Sequence, residues 1–139
     1  MSEPTPASER PPIAAAVIVH DGKVLLVKRR VKEGSLSWQF PAGEVEIKQA
    51  ESASAAAVRE AHEETGLTVS ASKVIGERVH PNTGRTMIYV ACNVVEGNAS
   101  VVDDEELIEF AWATRAQLAE YVPYGFFDTV QQYLKSNLK

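Results

Sequence analysis

The stretch from Ser52 to Gly66 constrains this chain more than any other. It is alanine-rich, and alanine is the best helix former. Ser52 suits an N-cap and Gly66 suits the position just past a helix end. The sequence therefore predicts a helix over 52–65. β-prone runs lie on both sides of it. Ile13–Val19 and Val24–Val27 flank His20-Asp21-Gly22-Lys23, an Asp-Gly hairpin signal. Lys28-Arg29-Arg30 closes the second strand, and residues 31–37 read as a loop with Gly34-Ser35 as turn formers. Trp38-Gln39-Phe40 reads as a short extended piece stopped by Pro41. Leu67–Val79 and Thr86–Val95 read as strands joined around Pro81-Asn82-Thr83-Gly84, and Leu107–Ala113 as another. Ala116–Tyr121 and Phe127–Leu138 read as a short and a longer helix. Strands on both sides of a central helix, with helices at the end, predict an α+β fold: an α/β/α arrangement on a mixed sheet.

The length of 139 residues suits one core. A polar, Pro-rich tail is expected over 1–11 and a single domain over 12–139. The net charge of −5 argues against a nucleic-acid polymer as partner. It does not argue against a nucleotide, because a bound cation reconciles acids with phosphates. Cys92 is the sole cysteine, so neither an internal disulfide nor a Cys-based metal site is available. The apolar run Ile13–Val19 is far too short to span a bilayer. A cytoplasmic protein without membrane contact is the expectation.

On a helical wheel Ala57, Val58 and Ala61 share a side that can pack on a sheet. Glu60, Glu63 and Glu64 share an arc about 100° wide. Ala53 and Ala56 lie on that same arc and add no bulk, while Arg59 sits at its edge, four residues before Glu63. Like charges at this spacing oppose helix formation by roughly 0.2–0.5 kcal/mol per pair. The negative end of the helix dipole adds to that cost. Acids on a helix are often only solvated surface. Where a sequence breaks two local rules at one place, it is often serving a site. Carboxylate oxygens are the preferred ligands of Mg²⁺ and Mn²⁺.

The flanking residues decide between these readings. Pro41-Ala42-Gly43-Glu44-Val45-Glu46, then Glu51-Ser52, then Arg59-Glu60-Ala61-His62-Glu63-Glu64-Thr65-Gly66-Leu67 resembles the box of the Nudix hydrolases, G-x5-E-x7-R-E-U-x-E-E-x-G-U with U aliphatic. From Glu51 onward the chain fits. Between Gly43 and Glu51 it carries seven residues where the family has five. The extra pair is placed in the loop after Glu46, and Ala50 stands where a glycine is usual.

The resemblance implies a Nudix-type α/β/α sandwich and hydrolysis of a diphosphate linkage, with water attacking phosphorus and Mg²⁺ or Mn²⁺ as cofactor. By the same resemblance Glu60, Glu63 and Glu64 are metal ligands, with the Gly43 carbonyl beside them, and Arg59 orients the glutamates. Arg59, Glu60 and Glu63 are thus the expected catalytic set. Glu51 fixes the loop, joins a second metal shell, or simply supplies charge at the helix N-terminus. The base is Glu60 or an acid of Asp103-Asp104-Glu105-Glu106, a stretch that also reads as a plain solvated turn. Arg29, Arg30, Glu46 and Glu105 are candidate substrate contacts. Trp38, Phe40 and Tyr89 could stack a base or fill the core. Small size favours nucleoside triphosphates or related nucleotides as substrate. Pro81, past the box, keeps ADP-ribose and other ADP-sugars open. A nucleotide-binding regulator without catalysis is the competing class, disfavoured by the intact Arg-Glu-x-x-Glu-Glu. The family often forms homodimers.

Overall fold

A computed structural model describes residues 10–30, 36–81 and 83–139. Residues 1–9 of the expected tail, the Gly34-Ser35 turn and Asn82 lie outside them. The chain runs β1 (Ile13–His20), β2 (Lys23–Arg30), β3 (Leu36–Gln39), β4 (Ala42–Glu44), α1 (Ala53–Thr65), β5 (Thr68–Val79), β6 (Thr86–Glu96), β7 (Leu107–Ala113), α2 (Leu118–Tyr121) and α3 (Asp128–Asn137). Leu36 and Ser37, expected in a loop, belong to β3. The short helix expected from Ala116 begins as a single 3-10 turn, Arg115–Gln117, before α2.

The sheet runs β3-β2-β1-β6-β5, with β4 on β1 and β7 on β2. Only β1 and β6 pair in parallel among these neighbours, so the sheet is mixed. Asp21 and Gly22 take φ of 51° and 75°, which gives the tight turn that a right-twisted hairpin favours. β1 and β2 stay paired only next to that turn, at Val19↔Val24 and His20↔Lys23. Beyond it they part. β1 pairs β4 through Ile13–Ala15, and β2 pairs β3 and β7. Phe40 and Pro41 cross between the halves, with the Ala16 N–H donating to the Pro41 carbonyl at 2.8 Å. The site opens where the strands diverge.

Alternate residues of β1 serve opposite layers, as the pleat requires. Ala14, Ala16 and Ile18 pack with Ala56, Ala57 and Ala61 of α1. Ala15 and Val17 pack with Val130 and Leu134 of α3. The alanines on β1 and α1 let helix and sheet approach closely. Cys92 is buried in the α1 layer, and burial pushes its thiol up to about 11. Among the described residues no helix is long and apolar enough to cross a membrane.

Both predicted caps of α1 form. The Ser52 hydroxyl accepts from the Ala55 N–H at 3.1 Å, and Gly66 closes the helix at φ 78° with its N–H on the His62 carbonyl. Carbonyls near the helix end are taken by the segment that follows β6. Ser100 N–H donates to Thr65 O at 2.9 Å and Val102 N–H to Glu64 O at 3.0 Å.

The loop before α1 contains a 3-10 turn, Ile47–Gln49, closed by Ala50 at φ 56°. An L-residue there costs about 1–2 kcal/mol, whereas glycine brings an entropic cost of about 0.5–1 kcal/mol. Ala50→Gly is therefore expected to stabilise the fold by roughly 0.5–1 kcal/mol. The urea midpoint should rise at constant slope; an unchanged or lower midpoint would contradict it.

Candidate active site

The parting of β1 and β2 leaves an open cavity of about 950 Å³. One end is acidic. Glu60 and Glu63 reach it from α1, Gly43, Glu44 and Glu46 from β4 and its loop, and Asp103 and Glu106 from the turn before β7. The other end is aromatic, with Phe40, Tyr89, Phe126 and Phe127 on the α3 side of the sheet. Phe40 stacks on Phe126 at 5.3 Å, and Tyr89 on Phe127 at 6.1 Å. Phe40 and Tyr89 thus serve both core and cavity. Trp38 lines the cavity edge-on to Tyr121.

Arg59 organises the acidic end. Its Nε and Nη2 donate to the two oxygens of Glu51 at 2.8 and 3.0 Å. Nη1 donates to Glu60 at 2.8 Å and to Glu63 at 3.2 Å, and Nη2 also reaches the Glu44 carbonyl at 3.0 Å. Paired carboxylates hold the guanidinium more firmly protonated than usual, the hydrogen bond from Glu51 foremost. The reciprocal bond holds Glu51 below the ordinary carboxylate value. Glu51 also accepts the Glu46 N–H at 2.9 Å, which ties the loop after β4 to the start of the helix.

Glu60 lies against Gly43: a Cβ on Gly43 would run into the Glu60 carboxylate. Glycine is required here by close approach rather than by φ. Burial raises the Glu60 carboxyl, with Arg59 opposing. Glu64 is the most enclosed acid among the described residues, at 2% exposure. Burial pushes it up to about 7, against the opposing charge of Arg29. Arg29 Nη2 lies 2.8 and 3.0 Å from the two Glu64 oxygens, and its Nη1 donates to Glu106 at 2.7 Å.

Of the residues expected at the site, Arg29, Gly43, Glu46, Arg59, Glu60 and Glu63 line the cavity, and Glu64 lies behind Arg29. Arg30 and Glu105 do not line it. Arg30 follows Arg29 on a strand, so the pleat turns it to the other face. The Glu106 N–H bonds the Asp103 side chain at 3.3 Å, and this turn leaves Glu105 exposed while Asp103 and Glu106 line the cavity. Sequence reasoning missed Arg78, which shares a sheet face with Met87 and Tyr89, and Arg85, which lies just before β6 and donates to Glu44 and the Pro11 carbonyl. Two-residue periodicity along β5 could have found Arg78. His62, read as solvated, is exposed.

The oxygen donors of Glu60, Glu63, Glu64 and Gly43 have the chemistry of a hard divalent cation's ligands. Among the described residues, no three acidic or imidazole side chains converge on an ion position as they stand. Glu60 and Glu63 bond Arg59 and Glu64 bonds Arg29, while the Glu60 and Glu64 side chains lie within hydrogen-bond reach of each other. The chemistry of this donor set fits a hard divalent cation.

A sheet between helices, with an acidic helix end opening on an aromatic cleft, has the features of a small-ligand site. The NUDIX domain family matches residues 10–131, and the chain belongs to that family, the Nudix hydrolases. Solved structures agree on the fold. A NUDIX hydrolase from Nitrosomonas europaea superposes with a TM-score of 0.74 at 22% identity, covering 94% of this chain and 92% of that one. A MutT protein from Methanosarcina mazei Go1 gives 0.70 at 24% identity, covering 94% and 99%. An ADP-ribose pyrophosphatase from Streptococcus suis gives 0.60 at 24% identity, covering 79% and 75%. No curated protein matches the chain.

Proposed function

We propose that this protein is a divalent-metal-dependent hydrolase of the diphosphate linkage in nucleoside triphosphates or related nucleoside-diphosphate compounds. One observation carries the reading: Glu60, Glu63 and Gly43 line one end of a cleft, with the buried Glu64 carboxylate beside Glu60, and the other end of the cleft is aromatic. Such a cleft suits a ligand with a phosphate-rich end and a planar end. Glu60, Glu63, Glu64 and the Gly43 carbonyl would hold Mg²⁺ or Mn²⁺. Bound there, the cation would neutralise phosphate oxygens and acidify the attacking water. A carboxylate at this end of the cleft, Glu60 or an acid of Asp103-Asp104-Glu105-Glu106, would accept the proton of the attacking water. Arg59 holds Glu60 and Glu63 in place. Phe126 and Phe127 offer stacking surface for a base. Glu46 and Arg29, at the rim of the acidic end, face the substrate's phosphates or sugar.

The test is a panel of nucleoside triphosphates, ADP-ribose and other ADP-sugars with Mg²⁺ or Mn²⁺, products being identified by mass. A nucleoside monophosphate with pyrophosphate or a sugar phosphate as co-product is expected from at least one member, and none without metal. Absence of product from every member would replace this reading with that of a nucleotide-binding regulator.

A further inference from the structure

Arg29 stands in an unusual place. β2 and β7 pair residue for residue until Lys28↔Glu109, then skip to Arg29↔Leu107. The extra residue, Ile108, makes a bulge, and bulges re-aim the side chains beside them. Here the bulge faces Arg29, whose guanidinium meets both oxygens of Glu64. Arg29 is 17% exposed and Glu64 2%, so this is a largely desolvated pair. Its other amino group holds Glu106, which is 61% exposed.

A ring closes through these contacts. The Glu64 carbonyl accepts from Val102 N–H at 3.0 Å. The turn then leads to Glu106, the Glu106 carboxylate to Arg29, and Arg29 back to the Glu64 carboxylate. Arg29 therefore latches the turn before β7 to the end of α1. It also puts a positive charge where Glu64, as a ligand, would meet a cation.

We propose that Arg29 is a positioning residue that competes with the divalent ion for Glu64. Its two-pronged contact fixes the orientation of the buried carboxylate. Ion binding must first displace it, so ion affinity is weaker than the acids alone would set. Glu106 keeps the displaced guanidinium at the cavity rim, where its freed N–H groups are available to a phosphate. This rests on the hydrolase reading above, but its test needs no turnover.

The test is Mn²⁺ binding, by calorimetry and by loss of the free-ion paramagnetic signal, to wild type, Arg29→Gln and Arg29→Lys. A charge-assisted hydrogen bond contributes about 1.5–3 kcal/mol, so removing the competitor should tighten Mn²⁺ binding roughly 10- to 100-fold in Arg29→Gln. Arg29→Lys keeps the charge without the fork and should fall between. A merely structural arginine would give the opposite sign, because a loosened Glu64 binds ions less well. Mn²⁺ binding no tighter than wild type in both variants overturns the proposal, and so does a wild type that binds no Mn²⁺. Hydrolysis by wild type in the substrate panel separately judges the hydrolase reading.

Discussion

Glu64→Gln is expected to lower hydrolysis more than about 100-fold, since even partners one shell removed from a metal commonly cost 10- to 100-fold. The fold should survive, and above neutral pH it should gain stability. Glutamine has the same shape, and its side-chain oxygen can still accept from Arg29, which also keeps Glu106. The gain has a definite pH signature. Burial pushes the Glu64 carboxyl from 4.5 up to about 7. The folded state thus binds this proton more tightly than the unfolded chain. The stability this brings is complete below about pH 4.5 and is lost as pH rises through about 7. In metal-free wild type the loss across that window is on the order of 3 kcal/mol, and the glutamine variant lacks it. Melting temperatures in chelator, at pH 5 and pH 8, should show the variant's relative advantage widening with pH. Near-wild-type turnover at saturating Mg²⁺ would remove Glu64 from the ligand set; a stability difference independent of pH would remove the desolvation argument.

The enclosure behind that prediction was not legible in the sequence, whereas the helix itself was. Alanine propensity, the Ser52 cap and Gly66 are local signals, and the wheel put Glu60, Glu63 and Glu64 on one arc from spacing alone. A wheel has no partner elements. What covers Glu64 is Arg29, thirty-five residues earlier in the chain, and the segment bonded to its carbonyl, nearly forty residues later. The same limit hid β4. Ala42-Gly43-Glu44 has no strand propensity of its own and is extended because β1 pairs with it after leaving β2. Arg29 and Arg30 were indistinguishable as a basic strand end until the strand had a face. Glu106 could be told from Glu105 only once the Asp103 side chain had folded the turn.

Arg59→Lys is expected to lower kcat by about 10- to 100-fold and to lower stability by about 1–3 kcal/mol, although charge is retained. Arg59 directs its fork to Glu51, Glu60, Glu63 and the Glu44 carbonyl at once. An ammonium group is a point charge that cannot span that set. The two effects should separate by partner. Glu60 and Glu63 are the catalytic side, and losing their restraint reduces kcat more than KM. Glu51 is the structural side, joining the loop after β4 to α1 through Arg59 and the Glu46 N–H. Because Arg59 lowers the Glu51 pKa, the pair contributes stability that is present above the unfolded carboxylate value and lost as pH falls through the lowered one. Glu51→Gln should therefore reproduce most of the stability loss at pH 7 and little of it near pH 3, with a smaller effect on kcat. Urea titrations and turnover measured on both variants read the separation directly. Full activity in Arg59→Lys would mean that charge alone suffices, and equal kcat losses in the two variants would mean that loop and helix act as one unit.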